Sequence, residues 1–174
     1  MAKKKVSAID RALLELEKRA GVAKQFKLEN FCFPAQLKYI QDPSRFKTAC
    51  TSRRAGKTTS IAAEFIDCCL KEKNVLCLYI TVTSRSARQI LWPEVKRLVD
   101  EYNIPAKPDD TRMEMKFLET GSVIRLGGAK DEAQCELYRG LKVRKCKIDE
   151  GQSFRPYLTY LVNDIDLAIF SKLT

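Results

Sequence analysis

The sequence predicts a three-layer α/β fold, a mainly parallel sheet flanked by helices, and three observations predict it. Strand-like and helical patterns alternate along the chain, as in folds assembled from strand–helix–strand units. Residues 75–82 (VLCLYITV) form a continuous, β-rich apolar run, which is what a parallel strand buried on both faces requires. Finally, Gly56-Lys57-Thr58 falls between a candidate strand and a candidate helix, a junction that can hold an anion on free backbone N–H groups.

In chain order, residues 7–20 carry Ile9, Leu13, Leu16 and Ala20 on one helical face. Ser7 and Asp10 form a capping pair at its start, and Gly21 is its stop. Pro34 opens a second helix that runs through Ile40 to the Asp42-Pro43-Ser44 turn. Residues 45–50 (RFKTAC) are read as a short strand, and 58–72 as a helix with Ile61, Ala62, Phe65 and Cys69 inward. After the strand at 75–82, helical spacing returns over 86–102 at Leu91, Val95, Leu98 and Tyr102, with Pro93 set to kink or split the helix near Trp92. Residues 103–112 read as a loop containing Pro and Asp. Residues 113–118 and 122–126 read as a hairpin turning through Glu119-Thr120-Gly121. A short helix is expected over 131–138, a strand over Val143 to Ile148, and a mixed helical pattern over 153–170.

A chain of 174 residues with 45% apolar content fits one domain with a real core. The balance is basic, 32 Lys+Arg against 22 Asp+Glu, formally +10, so a polyanion such as nucleic acid would be drawn to it; a solvated basic surface is the alternative. The chain has no histidine, which excludes Ser-His-Asp and Cys-His catalysis and any Cys/His zinc site. Its seven cysteines show no C-x-x-C spacing and read as reduced, mostly buried thiols. No apolar run approaches the ~18 residues of a membrane span, and the basic start is not followed by an apolar signal region. The expected protein is soluble and intracellular, without a membrane partner.

The chemistry concentrates at two places. Thr51-Ser52-Arg53-Arg54-Ala55-Gly56-Lys57-Thr58 has the context of a phosphate loop. Gly56 lets the backbone approach phosphates, Lys57 reaches the β- and γ-phosphates of ATP, and the Thr58 hydroxyl ligates Mg²⁺. The glycine usual five residues before Gly56 is Thr51 here. The strand over 143–148 then delivers Asp149 and Glu150 at its carboxyl end, where ligands of open α/β sheets bind. Asp149 is a candidate Mg²⁺ ligand and Glu150 a candidate general base for the attacking water. A solvated acidic pair is the bland alternative, and two halves in the correct order at the correct junctions argue against it.

At these residues the chain resembles the ATPase domain of large terminase subunits, the motors that package DNA into tailed-phage heads. The resemblance rests on Ser52-Arg53-Arg54-Ala55-Gly56-Lys57-Thr58-Thr59, similar to phosphate loops that carry an arginine in place of glycines. Upstream, Phe33-Pro34-Ala35-Gln36 looks like an adenine-reading glutamine motif. Downstream, Tyr138-Arg139-Gly140-Leu141 and Ile148-Asp149-Glu150-Gly151-Gln152 look like the R-G and D-E-A-Q segments, with Gly151 for the commoner alanine. The similarity covers residues 30–155. It implies a P-loop NTPase of the additional-strand class that hydrolyses ATP with Mg²⁺ and acts as a homo-oligomeric ring on double-stranded DNA. By the same resemblance the partners include a portal protein and a small terminase subunit, in the cytoplasm of an infected cell. Gln36 would read adenine, Arg53 would face the γ-phosphate, and the loop from Thr51 to Thr59 would hold the nucleotide. Arg139 would be a finger for a neighbouring subunit's ATP, an ordinary surface arginine being the alternative.

Members of that family carry a coupling motif on the next strand and then a nuclease domain. The chain is expected to end before either is completed, as a fragment, and no second acidic constellation marks a nuclease. Two rivals stand beside this reading: the first motor domain of a superfamily 1 or 2 helicase, which would unwind a forked duplex, and a module that binds nucleotide without turnover. Helicase phosphate loops are usually glycine-rich, which Arg53-Arg54 opposes.

Overall fold

Seven strands, β1 (Lys47–Thr51), β2 (Leu76–Thr81), β3 (Ala106–Asp109), β4 (Glu114–Phe117), β5 (Val123–Gly128), β6 (Lys145–Asp149) and β7 (Leu167–Lys172), form one sheet in the computed structural model, which describes residues 26–52, 54–154 and 167–172. The order across the sheet is β1-β7-β6-β2-β5-β4-β3. Strands β1, β7, β6, β2 and β5 are parallel, while β4 runs antiparallel to both β5 and β3. The α-helices among the described residues are α1 (Pro34–Gln41), α2 (Lys57–Lys71), α3 (Ser84–Ile90), α4 (Trp92–Glu101) and α5 (Glu132–Glu136). The predicted helix over 7–20 lies outside the described residues. No described helix is long and apolar enough to cross a membrane.

The sheet is covered unequally on its two faces. Strand β2 is flanked by parallel β6 and β5, so both its faces are buried and its sequence is continuously apolar rather than alternating. On one face Cys77 and Tyr79 join Ile61, Phe65, Ile66, Trp92, Val95 and Leu98 in the main core under α2, α3 and α4. On the other, Leu78 and Ile80 join Cys146, Ile148, Cys135 and Tyr138 under α5. Helix α2 is buried along most of its length, and six of the seven thiols are buried, Cys50 alone being exposed.

Where the chain departs from expectation, the reasons are local. The helix expected over 86–102 is split at Leu91, with Pro93 in the first turn of α4, where its missing N–H is no loss. It also starts earlier, because the Thr83 side chain caps α3 by accepting from Ser86 N–H at 3.0 Å. Residues 106–109, expected in a loop, are an edge strand paired with β4; an edge tolerates Pro108 because one row of its N–H groups needs no partner. The helical pattern expected over 153–170 is corrected at its end, since Leu167–Lys172 is a strand. It lies between β1 and β6 and pairs with both. A strand therefore follows the acid strand in the chain and lies beside it in the sheet. This is the added strand between phosphate-loop strand and acid strand that the resemblance implied.

Candidate functional site

Strand β1 delivers the chain at Thr51 into a loop that α2 closes at Lys57. Among its described residues the loop turns on two left-handed ones, Arg54 (φ 62°) and Gly56 (φ 70°). Gly56 occupies the N-cap of α2 and has no side chain to cap it, so the N–H groups of the first turn are available to an anion. Lys57 Nζ is folded over the loop, donating to Thr51 Oγ1 at 2.9 Å and to the Ser52 carbonyl at 3.1 Å. These oxygens hold the ammonium where an anion on the loop would otherwise compete for it. Thr58 stands beside Lys57 in the first turn. The Thr59 hydroxyl donates to Glu94 of α4 at 2.8 Å. Ser52 is exposed, and Arg53 lies outside the described residues.

Helix α1 is tied to this loop by Gln36. Its Nε2 donates to the Ala55 carbonyl at 2.8 Å, and its Oε1 accepts from Phe33 N–H at 2.9 Å. A side-chain amide offers two donors and two lone pairs, so each end of Gln36 keeps capacity for one more bond. The close fit also explains the glycine: a Cβ on Gly56 would stand 3.4 Å from Gln36 Nε2 and 3.7 Å from the Phe33 ring. A cavity of about 360 Å³ opens beside the loop, lined by Phe33, Gln36, Tyr39, Ala49, Ala55 and Lys57 among others.

The acid pair stands two strands from the loop. Asp149 and Ala49 are both registered with Phe170 of β7, so at 4.7–4.9 Å per strand the two backbones are roughly 10 Å apart. Both carboxylate oxygens of Asp149 are held. Oδ2 accepts from the Tyr79 hydroxyl at 2.8 Å, and Oδ1 accepts from Glu150 N–H at 3.0 Å. Burial first, and then the neighbouring Asp149 carboxylate, push the Tyr79 hydroxyl far above its ordinary value, so it stays a donor. Glu150 is left-handed at φ 59°, ψ 40°, a conformation that strains a side-chain-bearing residue and that clusters at functional sites.

Below Asp149 on the same face of β6 are two lysines, and Glu64 of α2 meets both. Its Oε1 is 2.8 Å from Lys145 Nζ and its Oε2 is 2.8 Å from Lys147 Nζ. Lys147 is only 2% exposed. Burial pulls the Lys147 ammonium below its ordinary value although Glu64 opposes that. Burial would raise Glu64, but Lys147 and then Lys145 outweigh it and hold the carboxyl below its ordinary range.

Arg139 follows α5 on an exposed turn, paired with Glu136 at 2.7 Å. Tyr138 beside it donates to the Gly128 carbonyl at 2.9 Å, at the carboxyl end of β5. Arg139 is thus anchored at the same edge of the sheet as Asp149, with its own side chain 60% exposed. Trp92 is core, its indole N–H donating to Asp110 at 2.7 Å. Sequence reasoning missed Tyr79, Glu94 and the Glu64–lysine group. The last left a signal, because the alternation in Lys145-Cys146-Lys147-Ile148-Asp149 puts two cations on one face of an otherwise apolar strand.

The fold has solved relatives. The chain is similar to the large terminase of bacteriophage HK97 (TM-score 0.67, 14% identity) over 88% of this chain and 37% of that one. It is similar to the large terminase of a thermophilic bacteriophage in complex with ADP (TM-score 0.60, 17% identity), over 80% of this chain and 38% of that one. The large terminase ATPase domain of Thermus phage P74-26 is similar at a TM-score of 0.59 and 16% identity, over 97% of this chain and 70% of that one. At these identities the likeness is one of fold: the chain has the P-loop NTPase fold of large terminase ATPase domains. No family model matches the sequence, and no curated protein matches it.

Proposed function

We propose that this chain is the ATPase motor domain of a viral terminase large subunit, which hydrolyses ATP to drive double-stranded DNA into a capsid. One observation carries the reading. A lysine-bearing loop at a helix N-terminus and an acidic pair at a strand end share one edge of the sheet, with a single strand between them, within the fold of large terminase ATPase domains. The relative from the thermophilic bacteriophage holds ADP, which supports nucleotide as the ligand.

Among the described residues no group of three or more His, Cys, Asp or Glu could hold a metal ion by itself. The donors at this edge are a hydroxyl and a carboxylate, hard oxygens suited to Mg²⁺ that is completed by water and phosphate oxygens. Thr58 and Asp149 would hold that ion, which when bound would supply charge neutralisation on the phosphates. The N–H groups of the loop and the first turn of α2 bind the phosphates, with Lys57 and Arg53 meeting their charge. Gln36 uses its remaining donor and lone pair on the adenine edge. Glu150 takes a proton from the attacking water, and Arg139 of one subunit completes the site of its neighbour in a ring. Double-stranded DNA, a portal protein and a small terminase subunit are the partners this reading carries, in the cytoplasm of an infected cell.

The test is to measure ATP binding and phosphate release on this chain, with and without duplex DNA. Binding together with DNA-stimulated release is the expected result. Binding without release in either condition would make the chain a nucleotide-binding module, and no binding would overturn the reading altogether.

A further inference from the structure

The carboxyl end of β2 carries two hydroxyls on the face that Asp149 shares, and neither belongs to a recognised motif. Tyr79 donates to Asp149 Oδ2 at 2.8 Å. Thr81, two residues on, shares its face by strand alternation. The last couple in the β2–β6 register is Ile80 with Ile148, so the next step sets Thr81 alongside Asp149. Thr81 is completely buried, and its hydroxyl is the one buried side-chain polar atom among the described residues without a hydrogen-bond partner. On its other side the register neighbour is Gly128, which has no side chain to offer. The Thr81 carbonyl is already engaged by Ala129 N–H at 3.0 Å. Buried hydroxyls are rarely left unpaired, and one that is calls for a water, an ion or a function.

We propose that Thr81 and Tyr79 are positioning residues for the metal shell at Asp149. This rests on the nucleotide reading above. Tyr79 fixes the carboxylate in one rotamer and leaves its outward lone pairs for the ion. Thr81 holds a water of the ion's own shell, of which Mg²⁺ keeps several, and that water satisfies the buried hydroxyl. Hydrogen-bond partners one step behind a metal ligand typically govern metal affinity by 10–100-fold.

The experiment titrates Mg²⁺ against a fluorescent ATP analogue bound to the wild-type chain and to Thr81→Val, Thr81→Ser and Tyr79→Phe. The affinity for the same analogue in EDTA, and thermal melting, are followed alongside. Thr81→Val keeps the shape and removes the hydroxyl. It is expected to raise the half-saturating Mg²⁺ about 10-fold, leave the metal-free affinity unchanged, and melt no lower than wild type, because an unpaired buried hydroxyl has gone. Thr81→Ser should restore the wild-type Mg²⁺ dependence, and Tyr79→Phe should weaken it as Thr81→Val does. A Thr81→Val chain with wild-type Mg²⁺ dependence would overturn the assignment, whatever happens to Tyr79→Phe. Equal loss of affinity with and without Mg²⁺ would overturn it too, by showing a merely structural role. If wild-type binding gains nothing from Mg²⁺, the nucleotide reading itself fails, which is a distinct result.

Discussion

Removing the Glu64 carboxylate should destabilise the fold far more than removing the lysine it meets. Glu64 and Lys147 side chains are 4% and 2% exposed and 2.8 Å apart. Lys145, also 2.8 Å from Glu64, is 29% exposed. Glu64→Gln keeps the volume but takes from the buried Lys147 the carboxylate that compensates its charge. Breaking a buried pair from one side costs about 3–5 kcal/mol, a large part of the ~5–15 kcal/mol that holds a domain together. At roughly 2–4 °C per kcal/mol for a chain of this size, melting should fall by about 6–20 °C. Lys147→Met, by contrast, removes the buried charge and leaves Glu64 with its second partner. Replacing a whole buried pair by apolar groups is often neutral; here only one partner goes, and Lys145 still compensates Glu64, so the expected loss is smaller than for Glu64→Gln.

The assay is urea unfolding of both single variants and the double variant, with the coupling read from the cycle. The double variant should be more stable than Glu64→Gln alone, since no buried cation remains at position 147. Acid gives an independent check. Lys147 and Lys145 hold the Glu64 carboxyl below its ordinary 4.5. The stability it contributes is therefore fully present above that value and is lost as pH falls through the depressed one. The gap between wild type and Glu64→Gln should narrow accordingly on acidification. Equal losses for Glu64→Gln and Lys147→Met, adding in the double variant, would refute the reasoning and leave side-chain packing as the cause.

The remaining expectations concern the nucleotide. Lys57→Ala should abolish tight ATP binding, because it removes the charge facing the β- and γ-phosphates; affinity within about twofold of wild type in an equilibrium assay would show the loop misread. Glu150→Gln should keep Mg-ATP bound while turnover by the assembled motor stops, since an amide cannot take the water's proton; wild-type turnover would remove Glu150 from that role. Arg139→Ala should leave nucleotide affinity of the monomer unchanged yet cut turnover of assembled motors by orders of magnitude, as arginine fingers are worth ~10³–10⁵ in rate. Mixing it with Glu150→Gln subunits should return part of the activity, and a mixed assembly that stays inactive would count against a role in trans.

Most elements that position the candidate site were legible because their signals are linear. The β2 run reads as buried on both faces, and the loop reads from a glycine that the left-handed turn and the approach of Gln36 require. Two strands were not legible, for different reasons. In Ala106–Asp109 a proline and an aspartate spell a loop, and only pairing on one edge makes it a strand. In Leu167–Lys172 the apolar residues follow a stretch with helical spacing, and the pairing that decides the matter is with β1, more than a hundred residues earlier. Tertiary context overrides local pattern in such cases. The side-chain contacts between these elements were hidden for the same reason. Thr59 with Glu94, Tyr79 with Asp149 and Lys145 with Glu64 are separated by 35, 70 and 81 residues.

The buried lysines of β6 also bear on why the acid pair points where it does. A strand's side chains alternate, so a slip of one residue exchanges its two faces. In β6 that slip would swing Asp149 away from Tyr79. It would also drive Lys145 and Lys147 into the cluster of Leu78, Ile80, Ala129, Cys135 and Tyr138, where no carboxylate waits. Hydrophobic alternation alone resists the slip weakly here, because both faces of β6 are covered. Two cations that find a partner only on the α2 face make the alternative register expensive by the desolvation of unpaired charge. An apolar residue at 147 therefore gives up part of what fixes the register of the strand. The ion group sets the direction of the carboxylate two residues above it, and it does so from the helix that carries the phosphate loop.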